Sequence, residues 1–169
     1  GLCVGAFSKF HNTSETPQTV VINEVCSLNG SIIRDGVYDC SDYIELYNVS
    51  EETIHLAGWF LSDDETSPKK YMLTEGTIEP GGYLAFYANG TEGGFNLPFK
   101  ISDAGEKIFL SDSQGNLIDS VAVPELKLNQ TYARVNDGAA QWSVKEATIM
   151  ASNAPAAVIP EQALEKPQF

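Results

Sequence analysis

The sequence predicts an all-β fold, an antiparallel β-sandwich or small barrel of about nine strands. Three observations point there. Short β-branched or alternating apolar runs recur at spacings of roughly ten residues. Turn formers such as Pro80-Gly81 and "NDG" at 136–138 separate them. No stretch shows the 3.6-residue apolar period of an amphipathic helix.

Taken in order, "TVVINEV" at 19–25 is a β-branched run and the first strand. "DYIELYN" at 42–48 alternates, with Ile44 and Leu46 on one face and Tyr43, Glu45 and Tyr47 on the other. "TIHLAGWFLSD" carries Ile54 and Leu56, bends at Gly58, and then presents Trp59 and Leu61. "YMLT" at 71–74 and "GYLAFYA" at 82–88 follow. "KIFLSD" and "NLIDSVAV" flank "SQGN", a hairpin built on Gly115. "TYARV" and "QWSV" close the set. The expected core comprises Ile22, Ile44, Leu46, Trp59, Leu61, Leu84, Phe86, Ile108, Leu110 and Val121.

One domain is expected over 19–155. A polar, turn-rich leader or linker over 1–18 precedes it, and a proline-containing tail over 156–169 follows. With 169 residues and 43% hydrophobic content, the chain can bury a real core. No apolar run approaches the ~20 residues a membrane-spanning helix needs, so no membrane insertion is expected. The net charge of −13, with ten Lys and Arg in all, disfavours nucleic acid as a partner, because phosphate binding needs clustered cations.

Chemistry-bearing residues are few. Asp42 and Glu45 lie three apart on one strand, so their side chains leave opposite faces and cannot act as a carboxylate pair. Asp42 is expected to accept backbone amides where its strand begins, and Glu45 to face a cross-strand partner. Glu24 sits beside Asn23 inside an apolar strand; Glu24 or Glu45 is expected to pair with Arg134 of "TYAR", which would set register more than stability. His11 and His55 are isolated from any serine elbow or metal-ligand spacing, so no catalytic residue, cofactor or metal is expected. The acidic loops "SDDE" at 62–65 and "RDGVYDCSD" at 34–42 offer oxygen ligands of the kind calcium accepts, without the spacing of an EF-hand. Five Asn-x-Ser/Thr triplets, at Asn12, Asn29, Asn48, Asn89 and Asn129, fall in expected turns or linkers, where these residue types serve turn chemistry. Trp59 is expected in the core rather than on a sugar-stacking surface.

The three cysteines are Cys3, Cys26 and Cys40. Cys26 ends the first expected strand and Cys40 immediately precedes the next, so a Cys26–Cys40 disulfide is expected across the intervening loop, leaving Cys3 free. Closing a loop of about 15 residues would stabilise by roughly 3 kcal/mol. Such a bridge would fit an exported protein.

"VVINEV", "SDYIELYNVS", "LAGWFLSDD", "IEPGGYLAFYA", "FKISDAGEKIFLSDSQGNLIDSV" and "TYARVNDG" occur in this order over residues 19–155. Together they resemble the lamin tail domain family, in particular its bacterial exported members. The resemblance implies an immunoglobulin-like β-sandwich without catalytic residues. In nuclear lamins the domain is an interaction module beside a coiled-coil rod; in bacterial proteins it usually accompanies nucleases, phosphatases or surface proteins. No heptad run or C-terminal prenylation box occurs here, so a filament role is not expected. The expected function is that of an interaction or attachment module on an exported or cell-surface bacterial protein, with a protein or cell-surface ligand. A carbohydrate-binding accessory module of a secreted enzyme is the competing reading.

Overall fold

The computed structural model describes residues 18–33 and 40–154. The expected leader and tail, with Cys3, His11 and Asn12, lie outside these residues, apart from the last position of the leader. Within them the chain is all β, with no helix. It forms twelve strands, β1 Val20–Cys26, β2 Asp42–Asn48, β3 Ile54–His55, β4 Phe60–Ser62, β5 Tyr71–Met72, β6 Thr77–Ile78, β7 Tyr83–Ala88, β8 Asn96–Leu97, β9 Glu106–Ser111, β10 Leu117–Val123, β11 Gln130–Arg134 and β12 Trp142–Glu146.

These make an immunoglobulin-like sandwich of two main sheets. One has six strands in the order β12-β11-β1-β2-β7-β8, the other four in the order β10-β9-β4-β5. A small β3-β6 pair sits beside them. Pairing is antiparallel except between β7 and β8, which run parallel. The strands beyond the expected nine are two-residue pieces such as β6 and β8, too short to leave a periodic signal in sequence.

The core fills the space between the sheets. Val20, Ile22, Val25, Ile44, Leu46 and Phe86 from the larger sheet meet Leu61, Ile108, Leu110 and Val121 from the smaller one. Trp59 joins them at 8% exposure. Leu84 is only partly buried but packs against the same cluster. Turn chemistry closes the hairpins as the residue types demand. At the β9–β10 turn Asp112 accepts the amides of Gln114 and Asn116, both at 2.9 Å, while Gly115 takes φ +81°. Gly58, at φ +89°, makes the bend between β3 and β4.

Two irregularities position the polar chemistry. Between β1 and β2 the register shifts at Asn23, so Ile22 pairs Leu46 while Glu24 pairs Glu45. The ladder from β1 to β11 starts only at Glu24, leaving the amide and carbonyl of Ile22 without a partner on that side. β10 carries its own shift between Leu117 and Asp119. Bulges re-aim side chains, and these two aim polar groups at one another across the sandwich.

Candidate functional site

Arg134 closes the gap at Ile22. Its Nε donates to the Ile22 carbonyl at 2.8 Å, and Nη2 donates to Asp119 Oδ2 at 2.7 Å. The same Asp119 oxygen accepts the Ile22 amide at 2.8 Å. Nη1 donates to the Ala139 carbonyl, and the guanidinium lies 4.7 Å from the Trp142 ring centre, itself stacked on Tyr132. Arg134 therefore pairs with Asp119 of the facing sheet, not with Glu24 or Glu45 as its cross-strand position suggested. The reason is directional: Glu24 and Glu45 point to the outer face of the six-stranded sheet, whereas Arg134 points between the sheets.

That outer face holds the densest polar cluster among the described residues. Glu24 and Glu45 stand directly opposite each other on β1 and β2, both fully buried. Glu24 accepts the Tyr43 hydroxyl at 2.5 Å. It also accepts the Thr148 amide at 3.0 Å and the Thr148 hydroxyl at 2.6 Å. Glu45 accepts the Met150 amide at 2.5 Å and Asn23 Nδ2 at 3.1 Å. Asn23 Nδ2 also donates to Asp137 Oδ1, at 3.1 Å, and Asn23 Oδ1 accepts the Gly138 amide. Asp137 further accepts the Tyr83 hydroxyl at 2.5 Å and the Asn153 amide at 3.0 Å. Asn153, fully buried, donates to the carbonyls of Asn23 and Arg134.

Residues 147–154 thus form a strap that covers β1 and β2, reached across more than a hundred residues of chain. Burial pushes the Glu45 carboxyl up to about 8; the neighbouring Glu24 and Asp137 charges add to this, and the Met150 amide and Asn23 oppose it. Burial, with Glu24 alongside, raises the Tyr43 hydroxyl as well. Each of these acids faces protein donors, an arrangement that holds a structure together rather than presenting a base to a substrate.

The other sequence-singled residues are placed as follows. Asp42 accepts the backbone amide of Ile101 at 3.0 Å, a loop 59 residues away rather than its own strand, and burial lifts its carboxyl to about 6. Asp63 pairs with Lys70, and Asp64 accepts both the amide and hydroxyl of Thr66. Among the described residues no group of three or more His, Cys, Asp or Glu side chains is arranged to hold a metal ion. Six residues of the other acidic loop, 34–39, lie outside those residues. His55 is exposed on β3, its Nδ1 3.1 Å from Thr77 Oγ1. Asn48 and Asn29 use their amide groups inside the fold, on the Ile78 and Glu52 carbonyls and on the Ser41 and Ile33 carbonyls respectively. Asn129, at φ +61°, accepts the Gly30 amide at 2.7 Å and ties 28–31 to the start of β11.

The expected Cys26–Cys40 disulfide is not formed; both cysteines are free. Register explains this. Cys26 stands opposite Tyr43, three residues along the chain from Cys40. Cys40 itself lies ahead of β2, outside the β1–β2 ladder. Ser41, next to Cys40, bonds instead to Asn29. Burial raises the Cys26 thiol to about 12, which keeps it protonated and inert.

Sequence reasoning missed Asp119, Asp137, Thr148 and Asn153. One signal was present: Asn23 and Glu24 interrupt a run whose every residue is buried, and buried polar groups require partners. The sequence did not say where those partners lie.

No curated protein matches the chain. A family model described as Lamin Tail Domain matches residues 13–125, more than half of the chain, from ahead of β1 to just beyond β10. β11, β12 and the strap lie outside the matched segment, yet β11 pairs directly with β1 inside it. With the two-sheet sandwich as observed, the chain belongs to the lamin tail domain family, whose members are non-catalytic immunoglobulin-like modules.

Proposed function

We propose that this domain is an attachment module of an exported or cell-surface bacterial protein and binds a protein ligand through the outer face of its four-stranded sheet. The observation that carries the reading is a row of side chains across that face. Leu117 stands opposite Ser111, Ser111 opposite Phe60, and Phe60 opposite Met72, so one row spans β10, β9, β4 and β5. Its ends, Leu117 at 58% and Met72 at 52%, are open to solvent, Phe60 is half-buried under Lys69, and Ser111 between them is buried. The apolar members of the row, Leu117, Phe60 and Met72, fit a protein contact. The outer face of the other sheet is covered at β1 and β2 by the chain's own strap. A sugar-stacking surface finds less support, because Trp59 lies in the core and the Tyr43 and Tyr83 hydroxyls are engaged by Glu24 and Asp137.

The test uses labelled protein and intact source cells. Binding should be abolished by prior protease treatment of the cells and survive enzymatic removal of their surface glycans. Met72→Ser with Leu117→Ser should weaken it by about tenfold or more, as loss of a contact centre does. Binding that survives proteolysis, or is indifferent to both substitutions, overturns the proposal.

A further inference from the structure

Three carboxyl groups meet under the strap. Glu24 and Glu45 are direct cross-strand neighbours, and Asn23 Nδ2 bridges Glu45 to Asp137. Like charges directly opposite on paired strands repel. Among the described residues the ion pairs are Asp63–Lys70, Glu65–Lys107 and Asp119–Arg134, so no cation contacts this cluster. The groups facing it are the Tyr43 hydroxyl from β2, the Tyr83 hydroxyl from β7 and the Cys26 thiol from β1. Lys145 on β12 donates to the Asn153 carbonyl, and Arg134 on β11 is engaged between the sheets. Each carboxyl in turn receives one backbone amide of the strap, from Thr148, Met150 and Asn153.

We propose that residues 147–154 form a pH-sensitive latch over the Glu24–Glu45–Asp137 layer, closed while Glu45 keeps its proton and opened when Glu45 ionises. Two effects compete. Ionised carboxylates accept amides more strongly, which favours the closed strap. Covering three charges without a cation costs more, because opening returns them to water. With Glu24 and Glu45 directly opposite each other and no cation in contact among the described residues, the second effect wins. With the strap closed the Glu45 carboxyl is held up to about 8, against an ordinary value of 4.5. The closed state therefore binds more protons than the open one between those values. Its advantage is complete below the ordinary value and is lost as pH rises through about 8. Met150 combines a positive φ of 59° and an exposed side chain with a backbone amide held by Glu45, so the latch bond lies at its backbone.

Pulse-labelling hydrogen exchange on the full chain tests this, with rates corrected for the intrinsic pH dependence of exchange. Protection of the 145–154 peptide should fall about a hundredfold from pH 6 to pH 9, roughly tenfold for each pH unit between pH 6 and the Glu45 midpoint near 8. β9 should be unaffected over the same range. Glu45→Gln, which keeps an acceptor but carries no charge, should hold its protection at pH 9. Equal corrected protection at both pH values in the unaltered protein, or the same fall in Glu45→Gln, overturns the latch. Should Glu45→Gln fail to fold, Thr148→Val decides. It keeps the three acids while removing the Thr148 hydroxyl that meets Glu24 and Asn153, so protection should drop at both pH values with the pH ratio preserved. A Thr148→Val profile identical to that of the unaltered protein overturns the proposal.

Discussion

At β1 and β2 both faces of the six-stranded sheet are buried, yet they are held by different physics. The inner face presents Val20, Ile22, Val25, Ile44, Leu46 and Phe86 to the opposite sheet. The outer face presents Glu24, Glu45, Tyr43 and Asn23 to a polar turn and a strap. Apolar contact is non-directional, so the inner face needs only the right volume and alternation. A buried polar layer must have nearly every donor and acceptor matched in position, and each unmatched one costs free energy. The inner face is thus tolerant and generic, while the outer face is specific and brittle.

Substitutions can break or sharpen this contrast. The largest effect belongs to the inner face. Trp59→Ala should lower stability by about 3–5 kcal/mol in denaturant titration, through lost burial and the cavity left behind. A loss under about 1 kcal/mol would place the ring outside the core. On the outer face, Asn153→Ala removes a small side chain but strands the Asn23 and Arg134 carbonyls. It should cost about 2 kcal/mol, more than the few atoms removed would explain by burial alone. A cost near that of an ordinary surface substitution would mean that water satisfies these carbonyls and that the layer is less specific than its geometry suggests. The smallest effect is a control outside both faces. Lys70→Ala opens the half-exposed pair with Asp63 and should change stability by no more than about 1 kcal/mol.

How far each face was legible follows from the same physics. Alternation in "DYIELYN" assigned Ile44 and Leu46 to one face and Tyr43 and Glu45 to the other, and β2 runs from Asp42 to Asn48 as expected. What alternation could not show is that the second face is buried too, because its cover comes from residues 147–154. Arg134 was legible as a rare basic residue in need of an acid, but its partner was not. The choice between Glu24, Glu45 and Asp119 depends on which way the side chain points after two bulges, and a bulge leaves no compositional mark. The Cys26–Cys40 expectation failed for a related reason, since adjacency to strand ends does not fix register.

The sequence by itself determined the β class, the main strands, the hairpin at Gly115, the apolar core and, through ordered motifs, the lamin tail family. These rest on local periodicity and turn chemistry, which act over a few residues and are written in the chain. Only the tertiary structure decided the Arg134–Asp119 pairing, the burial of Glu24 against Glu45, the strap over them and the two free cysteines. Each of these depends on groups 14 to 124 residues apart coming into contact, or failing to. Directional, short-range interactions of that kind are set by register and bulges, and those are properties of the folded sheet.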